Sequence, residues 1–195
     1  MNIYKKNLDL LTENNVYTKE MEHDACGVGL IASTEGKKSR EVVEYGIEAL
    51  KAVWHRGAVD ADGKTGDGAG IHLEIPKDFF IEKIEVTGHT HDGSDICVGM
   101  IFLPRNDYAS QESCKTIVES ELTKNNFSIY GWRQVPVNPK VLGEKALQTM
   151  PEIIQVLFKS NDKNLLDKDL ERKIYETRKK IENKAFNLSL NNFYI

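Results

Sequence analysis

The longest uninterrupted apolar stretch of the chain covers residues 96–103, with the sequence Ile-Cys-Val-Gly-Met-Ile-Phe-Leu. It is far shorter than the roughly 20 residues that an apolar helix needs to cross a bilayer. A charge-free run of this length is typical of a strand that is buried on both faces. With helices and strands in mixed order around it, this strand predicts α/β or α+β layering, in which helices cover sheets.

One helix and the loop after it are the clearest local features. Ser39 is placed to cap a helix whose apolar positions recur at three-and-four spacing as far as Trp54, and Gly57 is placed to end it. Residues 57–70 are too rich in glycine and aspartate to be regular. Strands are predicted at 27–33, 71–75, 96–103, 127–135 and 188–195. A helix is predicted at 110–123, and a solvated surface helix at 168–186 has Leu170, Ile174 and Ile181 on one stripe.

Charge and cysteine content narrow the class of protein. The 26 Lys and Arg residues against 30 Asp and Glu residues give a net charge of −4, without the basic excess of a nucleic-acid binder. The three cysteines match neither a zinc ribbon nor a disulfide framework, and the polar first 25 residues lack the apolar region of a secretory signal. We expect a cytoplasmic domain with an N-terminal leader, no metal, and no nucleic-acid or membrane partner.

The glycine-rich segment resembles two ligand-binding loops without meeting the requirements of either. Its Gly63-Lys-Thr65 end is that of a phosphate loop, but Ala58 stands where the first glycine belongs, and the segment precedes a predicted strand instead of a helix. As a calcium loop it has Lys64 and Ile71 where oxygen ligands belong. Tight backbone packing is therefore the favoured interpretation of these glycines.

Two other groups of potential ligands have ordinary explanations. His89, His91 and Asp92 lie among turn residues, without the second ligand cluster that a zinc site needs. Cys97 and Cys114 lie in apolar periodic surroundings and are predicted to be inert core thiols.

Cys26 stands between a polar leader and an apolar run, flanked by the small residues Ala25 and Gly27. By composition alone it is a core cysteine at the start of a strand. If the leader is removed between Ala25 and Cys26, however, the new α-amine, with a reference pKa of about 7.7–8.0, can accept the proton of the thiol. The N-terminal residue then supplies nucleophile and base together, and no histidine is needed.

Arg56 lies at the end of the predicted helix, in Trp54-His-Arg-Gly-Ala58. A cation at this position interacts favourably with the helix dipole. Alternatively, its guanidinium clamps a substrate carboxylate through two parallel hydrogen bonds, which a lysine cannot form. Spacing alone does not choose between the two roles.

Several motifs, in order, resemble one known family. The first three are Glu22-His-Asp-Ala-Cys26-Gly-Val-Gly-Leu-Ile-Ala32, Trp54-His-Arg-Gly-Ala58 and Thr65-Gly-Asp-Gly-Ala-Gly-Ile71. They resemble the start of the glutamine amidotransferase domain of the glutamate synthase large chain, a class II domain with an N-terminal nucleophile. Later stretches resemble the same family in order and spacing, so that the resemblance covers nearly the whole chain: Met150-Pro-Glu-Ile-Ile-Gln155, Leu170-Glu-Arg-Lys-Ile-Tyr175 and Asn192-Phe-Tyr-Ile195.

The resemblance implies an α+β fold, a four-layer αββα sandwich of two antiparallel sheets, incomplete at the C-terminus. It also implies a propeptide at residues 1–25 and a partial amidotransferase domain at 26–195. Cys26 would attack the side-chain amide of L-glutamine and form a γ-glutamyl thioester, releasing ammonia and then glutamate. Arg56 would hold the α-carboxylate of glutamine, and the loop with Gly66, Asp67 and Gly68 would shape the floor of the pocket.

The complete enzymes of this family are oxidoreductases that use the ammonia to make glutamate from 2-oxoglutarate. Their FMN and iron–sulfur cluster are held by later domains, so the resemblance implies no cofactor in this chain. The implied partners are L-glutamine and the remaining glutamate synthase domains or small subunit.

One departure from the family concerns the oxyanion hole. Family members carry an Asn-Gly oxyanion motif beyond the equivalent of Ile195, and this sequence has no Asn-Gly pair. Because loss of one oxyanion donor costs about 10²–10³ in rate, the 195-residue chain alone is expected to be a poor glutaminase. Two alternatives stay open: a catalytically incomplete interaction module or nonfunctional remnant with an exposed sheet edge, and a related amide hydrolase in which Arg56 is not a clamp.

Overall fold

The computed structural model describes residues 3–13, 27–162 and 165–195, in two compact units, Met1–Gly57 and Ala58–Ile195. The first unit contains helices α1 (Ile3–Glu13) and α2 (Arg40–Ala52) and a 3-10 turn, Trp54–Arg56. No helix in the described ranges is long and apolar enough to span a bilayer. The second unit contains α3 (Lys77–Val86), β1 (Cys97–Leu103), α4 (Tyr108–Lys124), β2 (Phe127–Gln134), a 3-10 turn (Pro139–Val141), α5 (Glu144–Thr149), β3 (Glu152–Ser160) and α6 (Asp167–Asn187).

Helix α2 confirms the capping prediction. The hydroxyl of Ser39 accepts a hydrogen bond from the backbone N–H of Val42 at 3.4 Å, which satisfies one of the unpaired amides at the start of the helix. The helix ends at Ala52, earlier than expected. The separate 3-10 turn that follows ends at Gly57, whose N–H donates to the carbonyl of Trp54 at 3.0 Å.

A three-stranded antiparallel sheet in the order β1-β3-β2 forms the centre of the second unit. Ile101 lies opposite Ile154, and Arg133 lies opposite Gln155, with a bulge between Ile129 and Gly131. The strands predicted at 96–103 and 127–135 are confirmed, but the first is an edge strand and is not buried on both faces, since Met100 is 40% exposed. The central strand, β3, was not predicted.

Helices cover both faces of this sheet. Helices α4 and α6 pack on one face and bury its largest apolar cluster, while Phe80 and Ile84 of α3 pack with Tyr130 and Leu157 on the other. The alternation of side chains along each strand explains why one strand contributes to both clusters. The larger cluster consists of Cys97, Ile101, Leu103, Cys114, Ile117, Val118, Leu122, Phe127, Ile154, Val156, Phe158 and Ile181.

Two predicted strands are absent from the described structure. Residues 27–33 and 71–75 are irregular, and Val28 and Leu30 are 95% and 89% exposed. The prediction of strands there is wrong, because an apolar pattern favours a strand but the backbone hydrogen bonds must come from a neighbouring strand.

The C-terminal predictions need two corrections. Helix α6 carries the predicted stripe of Leu170, Ile174 and Ile181, but it is not simply a solvated surface helix, since Thr177, Ile181 and Ala185 are buried. Residues 188–195 are mostly turns, and only Tyr194 pairs with a strand, at Phe102. The chain reverses after α6 because the N–H of Leu190 donates back to the carbonyl of Ala185 at 3.0 Å, as in a Schellman motif.

An ion pair between α4 and α6 predicts the effect of one substitution. The carboxylate of Glu121, only 6% exposed, accepts a hydrogen bond from Lys184, and this contact lowers the pKa of Glu121. Lys184→Met should lower the Tm by a few degrees, because it leaves a buried carboxylate with only the longer contact to Lys124. Lys179→Met is the matched control: its partner Glu182 is on the same helix, is 30% exposed and keeps its ion pair with Arg178, so a shift of roughly a degree or less is expected.

Calorimetry at several pH values checks the same pair. Because the folded-state pKa of Glu121 is depressed below its ordinary value of 4.5, its contribution is fully present above pH 4.5 and is lost as the pH falls through the folded pKa. The Tm difference between wild type and Lys184→Met should therefore shrink in acid. A difference that stays constant down to low pH would contradict the assignment.

Candidate active site

The predicted site residues lie in different parts of the chain. Cys26 is outside the described residues, and of Arg56 only the backbone is described, at the end of the Trp54–Arg56 turn. Gly66, Asp67 and Gly68 lie in the second unit, before α3. Of the predicted site residues, these three are therefore the ones whose structure is fully described.

Residues 58–67 form a small hairpin, which we call the Asp-rich hairpin. Val59 and Gly66 form an antiparallel bridge, and the N–H of Asp67 donates to the carbonyl of Ala58 at 3.2 Å. The carboxylate of Asp67 accepts a second bond, from the N–H of Ala58, at 2.8 Å. Asp67 thus closes the base of the hairpin with both its backbone and its side chain.

The tip of the Asp-rich hairpin is organised by Asp62. Its carboxylate accepts hydrogen bonds from the N–H groups of Lys64 (2.9 Å) and Thr65 (2.7 Å) and from the Thr65 hydroxyl (2.5 Å). These donors hold the pKa of Asp62 well below its usual range. The amides that a phosphate loop offers to an anion are occupied by this side chain, which agrees with the exclusion of a nucleotide loop.

The hairpin is docked on the start of α5. The ammonium of Lys145 lies 2.6 Å from a carboxylate oxygen of Asp60, and the backbone N–H of Glu144 contributes to lowering the pKa of Asp62. Gly143 is buried between them, and a Cβ there would lie 2.1 Å from the Thr65 hydroxyl and 2.5 Å from the Thr65 nitrogen. Sequence reasoning attributed tight packing to the glycines of the loop and missed this one, whose only sequence signal is a glycine just before a helix.

Gly143→Ala should therefore displace the Asp-rich hairpin. The added methyl group meets a backbone nitrogen that cannot move alone, so we expect a loss of about 1–3 kcal/mol in the free energy of unfolding. Gly70→Ala is the matched control, since a Cβ at Gly70 meets no atom within 4 Å, and a change within about 0.5 kcal/mol is expected. Urea unfolding of both variants measures the difference, and equal stabilities would show that Gly143 is not a docking point.

The two described cysteines are not candidates for the nucleophile. Cys97 and Cys114 are both buried. Burial raises the pKa of the Cys97 thiol to about 12 and raises that of Cys114 as well. Since the thiolate is the reactive form, both are inert at neutral pH, which confirms the prediction of core thiols.

The polar side chains of the turn around His91 and Asp92 also have structural partners. A nitrogen of His91 lies 2.8 Å from the Ser94 carbonyl, and Asp92 accepts hydrogen bonds from Lys159 and the Ser94 hydroxyl. Gly88 and Gly93 have positive φ angles, as a tight turn requires. Within the described ranges, no group of three His, Cys, Asp or Glu residues could hold a metal ion.

Two cavities open on the second unit, with volumes of about 430 and 380 Å³. The larger is lined by Arg105, Gln111 and Glu152, among others, and the smaller lies beside the start of β1. Neither is lined by Gly66, Asp67 or Gly68.

Comparison with known proteins decides the family. Residues 26–195 match the family described as "Glutamine amidotransferases class-II". This chain belongs to that family. The resemblance drawn from its ordered motifs is thereby confirmed, and the first residue of the matched range is Cys26.

The amidotransferase chain also has clear curated relatives. It is 51% identical over 192 residues to "Glutamate synthase [NADPH] large chain" of Azospirillum brasilense, covering 98% of this chain and 13% of that protein. It is 41% identical over 162 residues to "Ferredoxin-dependent glutamate synthase 1, chloroplastic/mitochondrial" of Arabidopsis thaliana (83% and 10%), and 38% identical over 174 residues to "Ferredoxin-dependent glutamate synthase" of Pyropia yezoensis (89% and 11%). The chain thus spans only 10–13% of the length of these relatives.

Proposed function

We propose that this class-II amidotransferase domain hydrolyses the side-chain amide of L-glutamine and supplies the ammonia to a glutamate synthase, which makes glutamate from 2-oxoglutarate. The observation that carries the proposal is the family match, which starts at Cys26 and extends to residue 195. The three relatives named as glutamate synthases support the same assignment. The hydrolysis transfers no electrons, so it requires neither the FMN nor the iron–sulfur cluster implied for the complete enzymes.

In the proposed mechanism, residues 1–25 are a propeptide, and its removal makes Cys26 the first residue. The free α-amine takes the proton of the thiol, and the sulfur attacks the amide carbon of glutamine. The carbon–nitrogen bond then breaks, the α-amine returns the proton to the departing nitrogen, and ammonia leaves a γ-glutamyl thioester. Water attacks the thioester, glutamate is released, and the thiol regains its proton. While attached, the propeptide turns the α-amine into a non-basic amide.

Substrate recognition is assigned to Arg56 and to the loop at the base of the Asp-rich hairpin. The guanidinium of Arg56 would hold the α-carboxylate of glutamine through two parallel hydrogen bonds. Gly66, Asp67 and Gly68 would form the floor of the pocket. The two bonds between Asp67 and Ala58 support this role, since they hold the base of the hairpin in one conformation.

We further propose that the complete domain is a four-layer αββα sandwich. The sheet covered by α4 and α6 would supply one helix layer and one sheet layer of such a fold. On the opposite face, α3 covers the sheet around Leu157, while Met100 is 40% exposed. A second antiparallel sheet would cover this remaining part.

Mass spectrometry of the full-length natural protein tests the proposed function. We expect the mature polypeptide to begin at Cys26 and to gain one adduct there from an electrophilic glutamine analogue. Cys97 and Cys114 should stay unlabelled, because they are buried and their thiol pKa values are raised. Retention of Met1 together with no adduct at Cys26 would overturn the proposal, as would labelling of either core thiol at a similar rate.

A further inference from the structure

Strand β1 is an edge strand of the sheet, and its outer edge is paired at one residue. The N–H of Phe102 donates to the carbonyl of Tyr194 at 2.9 Å, and the N–H of Tyr194 donates back to Phe102 at 3.0 Å. Alternate residues of an antiparallel strand direct their backbone groups to the same side. The N–H and C=O groups of Met100 and Val98 therefore point to the same outer edge, and in the described ranges no further strand pairs with them.

The last residues of the chain already have the side-chain alternation of a strand on this edge. Phe193 and Ile195 pack against the apolar cluster under α4 and α6, while Tyr194 between them is 66% exposed. If the antiparallel register set by Tyr194 and Phe102 continued beyond Ile195, the next residue would lie opposite Met100. The second and fourth added residues would lie opposite Gly99 and Cys97, and would direct their side chains toward α6.

A cavity lies on this path. It has a volume of about 380 Å³, and its apolar lining includes Cys97 of β1 and Leu170 and Ile174 of α6, which pack on the same face of the sheet. Four acidic side chains line the same cavity: Glu74, Asp95, Asp167 and Glu171. Lys77 also lines it and pairs with Asp95 at 2.9 Å, so the rim keeps an excess of negative charge.

We propose that this β1–α6 groove, formed by the outer edge of β1 and the cavity beside α6, binds an extended segment joined in cis to Ile195. The segment runs antiparallel to β1, donates to and accepts from Met100 and Val98, and fills the cavity with its alternate apolar side chains. A basic residue near the far end of the segment complements the acidic rim. The inference rests on the proposed function, because a glutamate synthase polypeptide would be long enough to include such a segment. This chain spans 10–13% of the length of the relatives that carry that name.

Two matched extensions of the chain test the proposal. One appends Thr-Val-Thr-Val-Lys after Ile195, which places both valines on the cavity side, and the other appends Val-Thr-Val-Thr-Lys, which places them on the opposite side. The readouts are the amide hydrogen exchange of Met100 and Val98 by NMR and the Tm. With the first extension, we expect exchange at both amides to slow by about tenfold or more and the Tm to rise. With the second, both should stay close to the values of the unextended chain.

A third extension, with proline at the first and third appended positions, removes the N–H groups that would bond to β1 and should abolish the protection. Equal protection by the two valine patterns, or none by either, would overturn the proposal. Protection that rises with protein concentration and is accompanied by a dimer mass would assign the groove to a second copy of the chain and would also overturn it. These readouts do not involve glutamine, so an inactive Cys26→Ala chain responds in the same way, and failure of the proposed function is seen separately.

Discussion

Replacing Cys26 with alanine in the full-length protein is expected to lower the rate of glutamine hydrolysis by about three orders of magnitude or more. In the proposed mechanism this residue supplies both the sulfur that attacks the amide and the α-amine that moves the proton. Alanine keeps the amine but removes the nucleophile, and loss of a nucleophile typically removes most of the acceleration of an enzyme that forms a covalent intermediate. The measurement is ammonia release at saturating glutamine.

Cys114→Ala provides the matched control for this experiment. It makes the same chemical change at a thiol that is 1% exposed, in the core under α4. We expect a modest loss of stability and nearly unchanged glutamine hydrolysis. If Cys26→Ala keeps the wild-type rate, or if Cys114→Ala loses as much activity while still folded, Cys26 is not the nucleophile.

Arg56→Lys is expected to raise the KM for glutamine by about 10–100-fold with little change in kcat. Lysine keeps the positive charge but cannot form the two parallel hydrogen bonds of a guanidinium with a carboxylate. A charge-assisted hydrogen bond contributes about 1.5–3 kcal/mol, and each 1.4 kcal/mol corresponds to a factor of ten in affinity. The loss should appear in KM because the α-carboxylate takes no part in the bonds that break.

Arg40→Lys is the control for charge and side-chain type. Arg40 begins α2 and forms an exposed ion pair with Glu44 at 3.0 Å, so its replacement should leave both kinetic constants unchanged. An unchanged KM in Arg56→Lys would instead favour the reading of Arg56 as a helix-terminal cation. It would also revive a related amide hydrolase with a different substrate.

Predictions from local sequence were confirmed where short-range interactions determine the structure. Ser39 caps α2 because a hydroxyl at that position reaches the N–H three residues later, whatever lies further away. The run at 96–103 forms strand β1 because no polar side chain interrupts it, but only one face is buried, since Met100 is 40% exposed. Cys97 and Cys114 are buried for the same reason, since each lies in apolar periodic surroundings.

The errors concern segments whose structure depends on distant partners. The central strand β3 has the same β-branched and apolar character as residues 71–75, but only β3 lies between two other strands that satisfy its backbone. Likewise, Thr177 and Ala185 are buried in α6, a helix that packs against α4. Neither the pairing of β3 nor the burial of these two residues can be predicted from the sequence of a single strand or helix.

The sequence by itself determined the family, because its motifs combine an uncommon set of residues in a fixed order, and it also limited the candidate nucleophile to one cysteine. The tertiary structure alone decided how the Asp-rich hairpin is held. The carboxylate of Asp62 accepts hydrogen bonds from amides of its own loop, and Asp60 pairs with Lys145. Gly143 is buried, and its lack of a side chain leaves room for Thr65. The contacts to Lys145 and Gly143 join residues about 80 positions apart, and no local pattern encodes them because they exist only after the chain has packed.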